Sequence, residues 1–383
     1  MYHPSENPVV IKFIHSPFTV SRLVDKSEID TPALIVDVDV MIRNIRDMAK
    51  FAKERGLKLR PHVKTHKAPQ IAKMQVEEGG NGICVQKLGE AEVMAEYGLD
   101  NIFITNEVVG RLKLSRLAKL REKIEVFVAV DHLDNIRDLS NIMRDRGLDL
   151  GVYVDVDCGM HRTGVPPEKA PDLAEAITRS EGLYLVGIMA YEGHAGAPLG
   201  REERKNLIRK AMEQTLFSVK LVERKGIEVN EVSVGSSATV RYSGMFEGIT
   251  ELQPGMYIFN DYYLVEREAA TVDTCALHVL TTVMSRPSPD RGVIDAGSKT
   301  FHFDMNRYPI AVGVEGVEIV KFSEEHGWLT LKGEAQHRIR LGDRLEFIPY
   351  HVCPCVNQFD TLYGLKGDKV QYMWTVAARG KVT

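Results

Sequence analysis

The chain has 383 residues, with 49 Lys and Arg against 53 Asp and Glu for a formal net charge of −4. That near balance, with no basic block, argues against nucleic acid or an anionic membrane as a partner. No run approaches the roughly 18 apolar residues of a membrane-spanning helix, and the N-terminal MYHPSENPVV lacks the charged-then-apolar order of a signal peptide. The five cysteines, Cys84, Cys158, Cys275, Cys353 and Cys355, are few and scattered, which points to a reducing cytoplasm rather than a disulfide framework. The length predicts about two domains.

From about residue 32, short apolar runs alternate with longer amphipathic segments. ALIVDVD, from Ala33, precedes a helix predicted through Met41 to Arg55; LKLRPHV precedes one from about His66 to Glu78. GICVQ, ending at Gln86, leads to a helix over Leu88 to Tyr97, and NIFITN to one through Leu112 to Lys119. EVFVAV precedes a helix from Leu133 to Arg146, and LGVYVDVD one from Ala170 to Ser180. YLVGIMAY leads to a long helix over Glu202 to Lys225, and EVSVGSS is the eighth strand.

Eight such units over roughly 230 residues predict an α/β fold, a (β/α)8 TIM-type barrel spanning 32–265. A doubly wound open sheet has the same alternation, and the count of eight favours the barrel. After about residue 265 strand-like runs such as TCALHVLTTVMS, RGVIDAG, WLTLKG and RLEFIPYHV are separated by turn residues. They predict a second, mostly antiparallel β domain over 266–383, to which residues 1–31 add strands.

Barrel active sites form where strands end, at the C-terminal face. RPHVKTHK, Arg60 to Lys67, places Lys64 just past the second predicted strand, beside His62, Thr65 and His66. A lysine desolvated there loses its charge more readily, and its free amine is the nucleophile that Schiff-base chemistry with pyridoxal 5′-phosphate (PLP) requires. The plain alternative is a solvated loop lysine. DCGMHRTG past the sixth strand offers Asp157, His161 and Arg162, and YEGHAG past the seventh offers Tyr191, Glu192 and His194. GSSAT past the eighth, with Ser236 and Ser237, presents small residues whose backbone amides can approach a phosphate, and QPGMY adds a second glycine turn at Gly255. Either string also reads as an ordinary turn. In PYHVCPCVN, read as a strand, His351 and Cys353 project from one face and form a two-ligand metal site suited to zinc, with Cys355 as a weaker third candidate. A buried cysteine packed beside a satisfied histidine is the competing reading.

RPHVKTHK, VDCGMHRTG, GSSAT, QPGMY, DAGSK (Asp295 to Lys299), SEEHG (Ser323 to Gly327) and PYHVCPCVN together resemble the D-serine dehydratase and D-threonine aldolase family. These are fold type III PLP enzymes with an alanine racemase-like barrel and a C-terminal β domain, and the resemblance runs from about Thr31 to Asp360. It implies a homodimer acting on a small D-amino acid. It also implies Lys64 as the Schiff-base lysine, Arg162 against the cofactor, and Ser236, Ser237, Gly255 and Met256 around its phosphate. His62, Tyr191 and Tyr257 complete the expected cofactor shell, and Gln86 and His194 the substrate pocket. Gln253 stands where alanine racemases carry an arginine facing the pyridine nitrogen, a departure that implies a weaker electron sink.

His351-x-Cys353 resembles the metal site of the dehydratases, whereas D-threonine aldolases typically carry His-x-Asp, suited to manganese or magnesium. The softer pair favours zinc as the divalent ion. The implied reaction is loss of water from a D-3-hydroxy amino acid to give a 2-oxo acid and ammonia. Retro-aldol cleavage to glycine and an aldehyde is the alternative. A non-catalytic PLP-binding protein and a racemase are more distant readings.

Overall fold

The computed structural model describes residues 24–196 and 200–383. Strands expected within residues 1–23 lie outside that range; the first described strand, Val24–Asp25, pairs antiparallel with Lys369–Thr375. Eight parallel strands form one sheet: Lys58–Leu59, Ile83–Val85, Ile102–Glu107, Val126–Val130, Leu150–Val156, Leu183–Ala190, Glu231–Val234 and Glu251–Leu252. Neighbours follow chain order, the first strand pairs with the eighth, and a parallel bridge between His62 and Cys84 joins the first to the second. The sheet is thereby curled into a TIM-type barrel.

Every residue of Leu150–Val156 is buried, because the barrel interior covers one face and helices the other. The helices read as the sequence predicts. Asp37 caps Val38–Glu54 by accepting the Val40 N–H at 3.0 Å, and Val38, Met41, Ile45, Met48 and Ala52 form its buried stripe. Each such large apolar side chain contributes about 2 kcal/mol on burial.

The strand Ala33–Asp37, expected as the first of the barrel, belongs to the other sheet. It lies antiparallel to Leu277–Ser288 and parallel to Thr361–Lys366. Its apolar run is what a buried strand in either sheet needs, and its partners lie far along the chain. The barrel instead closes with Glu251–Leu252, a strand of 2 residues, too short to leave a periodic signature. Lys64 accordingly follows the first barrel strand, GSSAT the seventh and QPGMY the eighth.

The second sheet has ten strands, nearly all antiparallel. Leu277–Ser288 pairs with both Arg291–Ile294 and Arg344–Ile348, so part of this sheet also closes on itself. One apolar core joins the two bodies: Met41, Ile45, Ala68, Ile71 and Phe259 pack with Leu277, Phe347, Val352 and Val356. That shared core holds the segment after Lys64 against the segment carrying Cys353. Among the described residues no helix is long and apolar enough to cross a membrane.

Candidate active site

Lys64 occupies a 3-10 turn, Val63–Thr65, that follows the first barrel strand. His62 caps that turn, its Nδ1 accepting the Lys64 backbone N–H at 3.4 Å. The His62 Nε2 lies 3.0 Å from Thr105 Oγ1, whose own proton goes to the Val85 carbonyl at 3.2 Å. The imidazole therefore carries its proton on Nε2 and is neutral, since burial and the nearby Lys64 charge push its pKa well down. The Lys64 ammonium donates to Gln86 Oε1 at 3.2 Å and lies 5.8 Å from the Tyr191 ring centroid. Burial lowers its pKa, opposed by Cys353 and reinforced by Arg162.

Around Lys64 lies a cavity of about 240 Å³. His62, Gln86, Arg162, Tyr191, Ser236, Ser237, Gln253, Gly255, Met256, His351 and Cys353 all line it. Thr65, already visible in RPHVKTHK, lines it too, as do Thr105, Met189, Tyr263 and Met305, which no local pattern in the sequence marks. Two expected residues fall elsewhere. The Tyr257 phenol accepts from Gln75 Nε2 at 2.9 Å, away from the cavity, and only its backbone N–H reaches Ser237 Oγ, at 3.1 Å. The His194 ring does not line this cavity; it stacks close to Gly159, where an added Cβ would sit 3.1 Å from its Nε2.

The GSSAT loop is shaped from below by Glu192, at the end of the sixth barrel strand. This fully buried carboxylate accepts from the Gly235 N–H at 3.2 Å and from the Thr239 and Ser243 hydroxyls at 2.6 Å each. Gly235 has φ of 107°, a left-handed corner that only glycine adopts easily. The backbone amides of Ser237 and Gly255 find no acceptor among the described residues and border the cavity. Replacing Glu192 with Ala would strand three donors, each bond to a charged acceptor being worth about 1.5–3 kcal/mol. We expect a lower melting temperature and a PLP affinity at least about tenfold weaker by fluorescence titration, with Glu192→Gln intermediate.

Arg162 is exposed, makes no ion pair among the described residues and sits 5.0 Å from the Tyr191 ring centroid. Gln253 donates to Ser233 Oγ at 3.3 Å, which passes its proton to Glu251 at 2.7 Å, and Glu251 is paired with Arg60 at 2.9 Å in the barrel floor. The cation there is bound beneath the cavity, and the group presented upward is a neutral amide.

The local geometry at His351 differs from the strand reading. His351 is the N-cap of a short helix, Val352–Val356, and Cys353 lies in its first turn. Both nevertheless line the cavity, and Cys353 Sγ is 3.3 Å from Thr65 Oγ1, tying this helix to the Lys64 turn. Cys355 turns away into the core, its thiol 3.3 Å from the Thr300 carbonyl. Burial opposes charge on His351, but hydrogen bonds to Asp304 and Cys353 outweigh it and lift its pKa to about 10. A histidine beside a cysteine suits a borderline-soft ion, and among the described residues no third His, Cys, Asp or Glu joins them in a cluster able to hold one. An ion held there would keep positions open for water or substrate.

A lysine with a lowered pKa, an unpaired arginine and a cradle of free amides fit PLP. Residues 36–262 match the family model "Alanine racemase, N-terminal domain", and 276–365 match "Putative serine dehydratase domain". A 3-hydroxy-D-aspartate aldolase from Paracoccus denitrificans is 36% identical, with 94% of each chain covered. The chain belongs to the D-serine dehydratase and D-threonine aldolase family of fold type III PLP enzymes. Within this family a solved D-threonine aldolase from Filomicrobium marinum superposes with a TM-score of 0.90 at 37% identity, covering 95% of this chain and all of that one. A D-threo-3-hydroxyaspartate dehydratase from Delftia sp. is 27% identical over 90% of this chain and 97% of its own. These relatives thus divide between carbon–carbon and carbon–oxygen lyases.

Proposed function

We propose that this lyase removes water from a D-configured 3-hydroxy amino acid, giving a 2-oxo acid and ammonia, with Lys64 as the base at Cα. The observation that carries this reading is the state of the two candidate bases. Both ring nitrogens of His62 are engaged, Nδ1 by the Lys64 amide and Nε2 by Thr105, whereas the Lys64 amine faces the cavity with a lowered pKa. Elimination needs a base at Cα; retro-aldol cleavage needs one at the β-hydroxyl instead. When bound, PLP supplies an electron sink for the carbanion at Cα. Arg162 balances negative charge at the cavity wall, the amides of Ser237 and Gly255 hold phosphate, and Gln86 and Tyr191 keep the Lys64 amine in place. Gln253 presents its neutral amide at the floor, which supports a weak sink that needs help at the β-carbon. His351 and Cys353 would hold a divalent ion, zinc by its softness, supplying Lewis acidity toward the substrate hydroxyl.

The second reading, retro-aldol cleavage, is favoured by overall similarity, because the aldolase relatives stand at 36–37% identity against 27% for the dehydratase. Incubating the PLP- and zinc-loaded protein with D-threonine separates the two. We expect 2-oxobutanoate and ammonia in equal amounts; glycine with acetaldehyde would instead establish the aldolase. We also propose a homodimer, since Val109 and Leu112 stand 57% and 76% exposed on the barrel surface. Sedimentation equilibrium at the monomer mass would overturn that assembly. A cytoplasmic setting fits five free thiols.

A further inference from the structure

The loop between the short helix Ser298–Phe301 and the strand Ile310–Ala311 reaches the candidate metal pair from the β domain. Two left-handed corners bracket it, at His302 with φ of 60° and Asn306 with φ of 53°. Phe303 fastens it to the sheet, its ring 4.9 Å from Tyr308 and 5.6 Å from Phe322. Asp304 and Met305 are thereby held out toward the barrel. Met305 lines the cavity, and Asp304 Oδ2 lies 2.7 Å from His351 Nδ1.

A carboxylate can only accept, so Nδ1 of His351 must carry a proton for this bond to form. Nε2 is then the nitrogen left to bind a metal. Without such a partner an imidazole exchanges its two nitrogens by tautomerisation and by turning about its χ2 bond, and a ligand must be selected from that mixture. We propose that Asp304 is the positioning residue of the metal site: it commits His351 to ligation through Nε2 and fixes the ring plane. The inference rests on the reading of His351 and Cys353 as ligands. It goes beyond that reading by naming the side chain that makes the histidine competent. Carboxylates placed this way behind a histidine ligand typically govern about 10–100-fold in metal affinity.

The test is zinc affinity of the PLP-loaded protein, measured by competition with a chromogenic chelator, with PLP content and melting temperature recorded alongside. Asp304→Ala is expected to bind zinc about 10–100-fold more weakly with PLP content unchanged. Asp304→Asn, whose amide oxygen can still accept from Nδ1, is expected to stay within about threefold of the unaltered protein, less than the loss of one neutral hydrogen bond. Should Asp304→Ala fail to fold, Asp304→Ser, too short to reach Nδ1, carries the same expectation as the alanine variant. Unchanged zinc affinity in the Ala or Ser variant overturns the proposal, and so does an Asn variant as weak as either. His351→Ala is the control for the underlying reading. If it too keeps full zinc affinity, the metal lies elsewhere and the assignment of His351 fails first.

Discussion

Replacing Lys64 with alanine is expected to lower turnover of D-3-hydroxy amino acids by about a thousandfold or more, the scale on which a positioned proton-transfer group contributes. Lys64 is asked to do two things in one cavity. As a nucleophile it must be uncharged, and burial together with Arg162 lowers its pKa below the ordinary lysine range. As a base it must stay near Cα of the substrate, and Gln86 Oε1 at 3.2 Å gives its ammonium form a fixed resting place. Lys64→Arg keeps the charge and length but not the nucleophile, so it is expected to be as inactive as the alanine variant. The check is kcat with D-threonine, together with the visible band of lysine-bound cofactor, which both variants should lose. Activity within tenfold of the unaltered enzyme would remove Lys64 from the mechanism.

The second large effect is expected at the metal pair. Stripping divalent metal with chelator, or replacing Cys353 with alanine, should cost about a hundredfold to a thousandfold in kcat while leaving PLP content intact. That range follows from several kcal/mol of charge stabilisation by a Lewis acid, at about 1.4 kcal/mol per tenfold. Added zinc should restore the stripped enzyme and leave Cys353→Ala inactive. The asymmetry matters, because Thr65 Oγ1 lies 3.3 Å from Cys353 Sγ and a purely structural role would disturb the Lys64 turn. Such a disturbance would lower PLP content too, and zinc would not restore the stripped enzyme. If Cys353→Ala keeps both its metal and its turnover, the cysteine has no part in the reaction.

Much of the site is legible along the chain because its parts are local. Lys64 and His62 are two residues apart on one turn, so RPHVKTHK carries both. The phosphate cradle proposed here is two short glycine-bearing strings, GSSAT and QPGMY, each visible as a turn in the sequence, and the structure brings both to the wall of one cavity. His351 and Cys353 are legible as a pair, although for a reason the structure replaces. The spacing that suggested one face of a strand is the N-cap and first turn of a helix, and both geometries bring the side chains to one side. Glu192 is visible in YEGHAG but its work is not, since its three donors come from Gly235, Thr239 and Ser243.

Local pattern thus determined the alternation of the barrel, most of its helices, and the short strings that carry Lys64 and the His351–Cys353 pair proposed here for cofactor and metal, since each depends on neighbours within a few residues. Only the tertiary structure decided which sheet Ala33–Asp37 joins, because an apolar five-residue run satisfies either, and its partners are Leu277–Ser288 and Thr361–Lys366. Only the tertiary structure closed the barrel with Glu251–Leu252, moved Tyr257 and His194 out of the cavity, and set Asp304 behind His351. Those placements depend on the core shared between barrel and β domain, where contacts form between residues hundreds of positions apart and leave no periodic trace in the chain.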